Sequence, residues 1–390
     1  MSGFKVTSWN VEWLIDHFDV ASGVVQPGSK RSRRTMPSQE HAAAKLDAIR
    51  RVISEIDPDI LLLIEAIPGP DRMLEFVAQH LPDYRLVTRG NVSDAAYHIQ
   101  GEQWIWFVMK PAVMEACGAH LLDVGTWQAY TREIYTATEA RKEHKDGQWW
   151  VSAPSIITVD GKKTIGAPVL KPHSHYRHPQ VLVLDWKGAR VEFVGVHLKS
   201  KHIGMSVPRR KAGESDKAYY SRADVRLFLA NAAIARMKLT TEATDVRHYI
   251  DRRFEQEVLP AIFVLGDVND GPGKELVERE HLLHDLIGNL QGDVFFARRF
   301  LNHALFDNPQ HLRWTSRFED ELEPGKPPEI LLDHIVFTEA LSRRVDGALR
   351  IQPHAGLVEH EIFERISTQM PSGTQISDHR PVSLYVNEAV

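Results

Sequence analysis

Short apolar runs rich in β-branched and aromatic residues, each bounded by polar ones, recur from one end of the chain to the other and alternate with stretches of helical periodicity. The runs are Phe4 to Ser8, Ile60 to Ile64, Trp104 to Met109, Val181 to Asp185, Val191 to Val196, Ala261 to Leu265, Ile335 to Phe337 and Val382 to Tyr385, and they read as strands. Between them Leu46, Ile49, Val52, Ile53 and Ile56 fall on one helical face, as do Leu227, Ala230, Ile234 and Met237 within a helix expected over Tyr219 to Met237. Strands and helices in this mixed order predict an α/β fold in which helices cover sheets. No Pro-, Gly- or Ser-rich linker and no repeat divides the 390 residues, 43% of them hydrophobic, so one domain over residues 1–390 is expected. Loop insertions are expected near 23–37, 120–178 and 200–258, with a further exposed loop from Gly90 to Gly101.

Composition removes several classes of protein. The single cysteine, Cys117, forms no internal disulfide and reads as a small buried hydrophobe. The N-terminal MSGFKVTSWNVEW lacks a basic segment followed by an apolar run, and no stretch has the length of a membrane span, so a soluble cytoplasmic protein is expected. A net charge of -5 is not that of a non-specific nucleic-acid coat. Two local basic clusters remain: Lys30, Arg31, Arg33 and Arg34, and then Lys199, Lys201, Arg209, Arg210 and Lys211.

Polar residues stand at the ends of the strands. Asn10, Glu65, His197 and Asp267 each close an apolar run, and Asp378 and His379 immediately precede the last one. Strand ends are rigid platforms at the rim of a sheet, where α/β enzymes assemble sites from distant segments. There is no Cys cluster and no His-x-x-x-His helix, which disfavours zinc.

The ordered series Trp9-Asn10-Val11-Glu12, Leu63-Ile64-Glu65, His197-Leu198-Lys199-Ser200, Gly266-Asp267-Val268-Asn269-Asp270, Asp333-His334-Ile335 and Ser377-Asp378-His379-Arg380-Pro381 resembles the signature of the endonuclease/exonuclease/phosphatase superfamily, in particular its deoxyribonuclease I-like members. The resemblance spans nearly the whole chain and implies a four-layer sandwich of two mixed β-sheets flanked by helices. It also implies a divalent-metal-dependent phosphodiesterase in which a metal- and His-assisted water attacks in line. Mg²⁺, or Mn²⁺ in its place, would be held by Glu65, Asn10 and Asp378, oxygen ligands suited to a hard cation. His379 and Asp333 would be the paired imidazole and carboxylate, His197 the second imidazole with Glu102 as its partner, and Asp267 and Asn269 the groups that orient the water. Arg177, in an Arg-x-Pro element before a strand, would grip a phosphate together with Asn10 and Lys199. Glu12 stands where the superfamily often has Asn or Asp.

Nucleic acid is the preferred substrate. His197-Leu198-Lys199-Ser200-Lys201 has the form common in nuclease-like members, Leu312 to Phe318 resembles the aromatic segment they place beside the cleft, and the second basic cluster would carry positive charge along a helix bearing Arg222 and Arg226. Trp127, Tyr130, Trp149 and Trp150 are better read as core or loop anchors than as base-stacking groups. The alternative is a phosphomonoesterase or phospholipase-type member acting on an inositol phosphate or a phospholipid. Against it, Asp270-Gly271-Pro272 follows the Gly-Asp-x-Asn motif where inositol phosphatases carry an aromatic residue and Arg. An inactive binding scaffold would be marked by loss of a metal ligand or of the last histidine, and none is lost.

Overall fold

A computed structural model describes residues 2–389 apart from 32, 91–92, 137–148, 272–285, 293–298, 320–324 and 343–347. All eight expected runs lie within strands of two sheets. One sheet, seven-stranded among the described residues, runs in the order Leu349–Arg350, Val382–Glu388, Gly3–Asn10, Ile60–Ala66, Trp104–Met109 and Arg85–Leu86, with Gly356–Val358 also paired on Val382–Glu388. The other, six-stranded, runs Leu301–His303, Asp333–Thr338, Ala261–Asp267, Ala189–His197, Gln180–Trp186 and His120–Leu121. Both are mixed: Gly3–Asn10 is parallel to Ile60–Ala66 and Ala189–His197 is parallel to Ala261–Asp267, while their other neighbours are antiparallel.

The period of two in each strand decides which side chain meets which layer. Leu182 and Leu184 enter the core shared by the two sheets, whereas Val181 and Val183 join a second cluster with Leu239, Ala243 and Val246 of the long helix Ala223–Gln256. On the far side of the first sheet, Leu46, Ile49, Val52 and Ile53 of the helix Gln39–Ile56 pack into the main core. Helix, sheet, sheet and helix therefore form four layers, as the motifs implied. Between the sheets Phe193 stacks on Phe263 at 4.6 Å, and Phe4 meets Phe193 edge-on at 5.9 Å.

The sheets approach closely at Gly195, where an added Cβ would lie 2.7 Å from Leu62 Cδ1 and 3.1 Å from the Phe107 ring. Gly195→Val is expected to cost about 1 to 3 kcal/mol by overpacking, read as a lower denaturation midpoint at unchanged slope; an unchanged midpoint would contradict this contact.

The described parts of the insertions carry regular elements. Residues 120–178 contain a helix, Val124–Thr136, and an antiparallel ribbon of Trp149–Val159 with Lys162–His173. Its turn places Asp160 and Gly161 at φ 49° and 73°, the left-handed pair that matches the twist of a hairpin. The helix expected over Tyr219 to Met237 is broken at Arg222, whose extended backbone separates Asp216–Ser221 from Ala223–Gln256, and the second part runs well past Met237. Part of the basic cluster that precedes it is neutralised: Arg210 pairs with Asp216 and Lys201 with Asp270, while Arg222 at the break pairs with Glu214 and Asp224. It therefore offers less positive charge to a polyanion than its composition implied. Among the described residues no helix is long and apolar enough to cross a membrane.

Candidate active site

The alternation that builds the core also builds the site. Phe4 and Val6 belong to the inter-sheet core, so Asn10 at the end of that strand points into the same gap. By the same count His197 follows Phe193 and Gly195, Asp267 follows Phe263 and Leu265, and Asp333 precedes Ile335 and Phe337 on the inner face. Four polar groups from two sheets are thus delivered to one edge of the gap. Gly266 lets two of these strands close there: its φ is 138°, and an added Cβ would sit 2.0 Å from the carbonyl oxygen of Val196.

Glu65 reaches the gap by a different route. Strict alternation after Leu62 and Ile64 would turn it outward, but the ladder to Trp104–Met109 slips between Ile64 and Ala66 and Glu65 takes φ 57°. Glu12, Trp13 and Asn269, at φ 50°, 48° and 57°, are also left-handed without being glycine. Such conformations cost energy and persist only where the surroundings impose them, and four of them gather at this end of the strands.

Asn10 Nδ2 lies 3.3 Å from Glu65 Oε1 and 3.1 Å from Asp267 Oδ2. Its Oδ1 accepts from the Glu12 amide at 3.0 Å, so the side chain presents its NH₂ to the cleft. In this arrangement Asn10 faces the site as a donor, suited to a phosphoryl oxygen, while its Oδ1 is turned toward Glu12 N. Glu65 Oε2 accepts from Trp13 N at 3.2 Å. His379 Nδ1 donates to Asp333 Oδ2 at 2.6 Å, and its Nε2 faces Asp267 Oδ2 at 4.0 Å and Asp378 Oδ1 at 3.8 Å. Thr315 Oγ1 accepts from the amides of Leu332 and Asp333, while Ser377 Oγ donates to Asn10 O and accepts from His379 N. The last histidine is thereby latched to the first strand. His197 Nε2 stands 3.5 Å from Asp267 Oδ2 and 3.8 Å from Glu65 Oε1. The Asn269 amide N–H donates to Asp267 Oδ1 at 2.9 Å and its side chain donates to Leu198 O at 3.0 Å, so it anchors the carboxylate as well as lining the cleft.

Burial dominates the electrostatics. It pushes the Asp267 carboxyl up to about 7, a rise to which Asp333 and Glu65 add and which His379 opposes. For His379 burial works the other way, yet Asp333 with its hydrogen bond, Asp267 and Asp378 outweigh it and raise the imidazole well above its ordinary value, keeping it a cation at neutral pH. His197 is buried, close to Arg177 and His379, and held well below its ordinary value, hence neutral. Burial and Glu65 raise Asp378, with His379 opposing.

Two expected contacts are not formed. Glu102 does not partner His197: its carboxylate pairs with Arg34 and Arg31 from the 23–37 insertion, and His197 Nδ1 has no hydrogen-bond partner among the described residues. Arg177 does not offer its guanidinium to the cleft. Nε and Nη2 donate to the carbonyls of His197 and Leu198 at 2.9 and 2.8 Å, and Nη1 to Gln103 Oε1 at 2.6 Å, because a guanidinium buried at this depth must satisfy its donors locally. Lys199 is partly buried, its ammonium on Ser200 O at 2.6 Å and its amide on Glu242. Trp127 is core, stacked on Tyr249 at 4.5 Å; the side chains of Trp149 and Trp150 lie outside the described residues.

The structure also adds Lys45, which the sequence pattern did not single out, and places Trp314 of the expected Leu312 to Phe318 segment near His379. Lys45 is almost fully buried and donates to Glu12 O at 2.6 Å. It is the one charge on the apolar stripe Ala42, Leu46, Ile49, Ile53, and that break in periodicity was its visible signal. Trp314 packs between Arg380 and Arg317, 3.9 and 4.7 Å from its rings, beside a bridge from Ser316 to His379.

A hard divalent cation fits this donor set. Ligand atoms of Asp267, Asp333 and His379 lie within 4.8 Å of one another, Asp333 Oδ1 has no hydrogen-bond partner among the described residues, and Glu65 and Asp378 add two oxygen donors. His379 Nδ1 is committed to Asp333 and the raised imidazole keeps Nε2 protonated, so carboxylate oxygens of Glu65, Asp378 and Asp267 would hold the ion.

No protein-family model and no curated protein matches the chain. Among solved structures, the chain is similar to truncated Caenorhabditis elegans TDP2 (11% identity, TM-score 0.45, covering 99% of this chain and 97% of that one). It is similar also to D. rerio TDP2 complexed with single strand DNA product (12%, 0.46, 99% and 100%). A third is an endonuclease/exonuclease/phosphatase family protein from Bacteroides thetaiotaomicron (12%, 0.42, 100% and 98%).

Proposed function

We propose that this chain hydrolyses phosphodiester bonds with a divalent metal ion, Mg²⁺ or Mn²⁺, and that its substrate is nucleic acid. The observation that carries this reading is the His379–Asp333 pair with its free Nε2 turned toward Asp267, a carboxyl raised into the neutral range, at the same edge as Glu65. A metal ion held by Glu65, Asp378 and Asp267 would supply Lewis-acid stabilisation of charge on the phosphoryl oxygens. The protein's own groups divide the remaining work. Cationic His379 donates a proton from Nε2 to the departing oxygen, with Asp333 fixing its tautomer and orientation. Asp267, at the same edge, takes the proton of the attacking water. Asn10 Nδ2 and neutral His197 offer hydrogen bonds to the phosphoryl oxygens.

Nucleic acid is favoured by the surface next to His379. Arg313, Arg317, His311 and Lys326, with Trp314 and Glu329, line a cavity of about 910 Å³, an arrangement in which bases stack on guanidinium and imidazole planes while the backbone meets a mainly positive lining. The test uses end-labelled single strands of DNA and RNA beside p-nitrophenyl phosphate, all in Mg²⁺. Strand cleavage with no release from the monoester is expected; the reverse would make the chain a phosphomonoesterase.

A further inference from the structure

The 23–37 insertion folds back over the turn that follows the first strand, and its Arg34 meets Trp13, whose amide holds one metal-ligand candidate. Glu65 Oε2 is oriented by the Trp13 amide, which reaches it only because Glu12 and Trp13 both adopt left-handed backbone. Two such residues in succession are disfavoured and need outside support. The support comes from two sides. Lys45 donates to Glu12 O from the helix beneath. From above, the Arg34 guanidinium lies 3.5 Å from the Trp13 ring centroid and is itself held by Glu102 and, through Nε at 3.4 Å, by Asp16. Arg31 closes the network with Asp19, with Asp16 at 3.5 Å and with Glu102 at 3.4 Å.

We infer that Arg34 and Glu102 are positioning residues for Glu65: the ion-paired strap clamps the Trp13 turn, fixes the carboxylate, and thereby sets the affinity of the site for its divalent ion. This rests on the assignment of Glu65 as a metal ligand made above. The planar guanidinium is what the clamp needs, since it stacks on the indole with its face while its edge meets two carboxylates, a combination an ammonium cannot reproduce. Arg31 and Arg34 of the first basic cluster are accordingly turned onto the protein's own carboxylates. A plain staple of the insertion to the core would use the same ion pairs but would leave metal binding alone.

The two are separated by titrating Mn²⁺, followed by electron paramagnetic resonance, into the parent chain and into Arg34→Ala, Arg34→Lys, Glu102→Gln and Glu65→Gln, each well below its unfolding temperature. Arg34→Ala and Glu102→Gln are expected to weaken Mn²⁺ binding about tenfold, in the range seen when groups that orient a ligand are removed, and Arg34→Lys to recover only part of it. Should Arg34→Ala not fold, Glu102→Gln removes the anchoring charge at nearly constant volume. Affinities within about twofold of the parent, with Glu65→Gln weakened, would overturn the inference and leave the metal site standing. Unchanged binding in Glu65→Gln would overturn both.

Discussion

His379→Ala is expected to lower turnover by about a hundredfold or more, the usual loss when a general acid or base is removed, with the protein still folded. The imidazole has one nitrogen left for the reaction, because Nδ1 is committed to Asp333 at 2.6 Å and only Nε2 faces the cleft. Alanine also leaves the buried Asp333 carboxylate without its partner, which destabilises the fold. His379→Gln is the cleaner variant, because an amide can still donate to Asp333 yet cannot transfer a proton. The pH dependence of stability has a definite sign. The folded-state value of His379 lies above 6.5, so its contribution is complete below the unfolded value and is lost as pH rises through the folded one. The parent should therefore be more stable than His379→Gln in acid and at neutrality, with the gap closing in alkali; near-parent turnover in both variants would refute the role.

Asp267→Asn should move activity and stability in opposite directions. Turnover falls by about 10² to 10⁴ when the proton acceptor is lost, while the metal-free protein becomes more stable. The carboxyl rises from 3.8 to about 7 in the fold. Native stability is thus fully retained below about pH 4 and lost as pH climbs through about 7, where the buried group must ionise beside Asp333. The shift bounds this penalty at about 4 kcal/mol, or roughly 2 to 5 °C in a chain of this length. The asparagine variant escapes it, so its advantage in melting temperature should be absent near pH 4 and full near pH 8. A variant less stable than the parent at pH 8 would contradict the burial and crowding assigned to Asp267.

These expectations depend on residues whose placement was legible to different degrees. The inward direction of Asn10, His197, Asp267 and Asp333 follows from counting alternate residues back to Val6, Phe193, Phe263 and Ile335, and hence was written in the sequence. Glu65 was legible as a strand end but not in direction, because a slip of register and a left-handed backbone turn it into the gap against the count. The orientation of the Asn10 amide was not legible because it is set by the Glu12 N–H, a contact that depends on the turn and not on residue type. Glu102 and Arg177 show the limit of spacing: an insertion 68 residues away supplies Arg34 to the first, and two main-chain carbonyls capture the second. The ribbon around Asp160-Gly161 was within reach, since a two-residue Asp-Gly turn between alternating runs is a hairpin signal.

The most direct test of the central claim is incubation of the purified protein with supercoiled plasmid in Mg²⁺, with EDTA and His379→Gln as controls, scoring relaxed and linear products. Cleavage that requires both the metal and His379 is the predicted result. Plasmid left intact by the parent protein, or nicked equally by the His379→Gln variant or in EDTA, would contradict it.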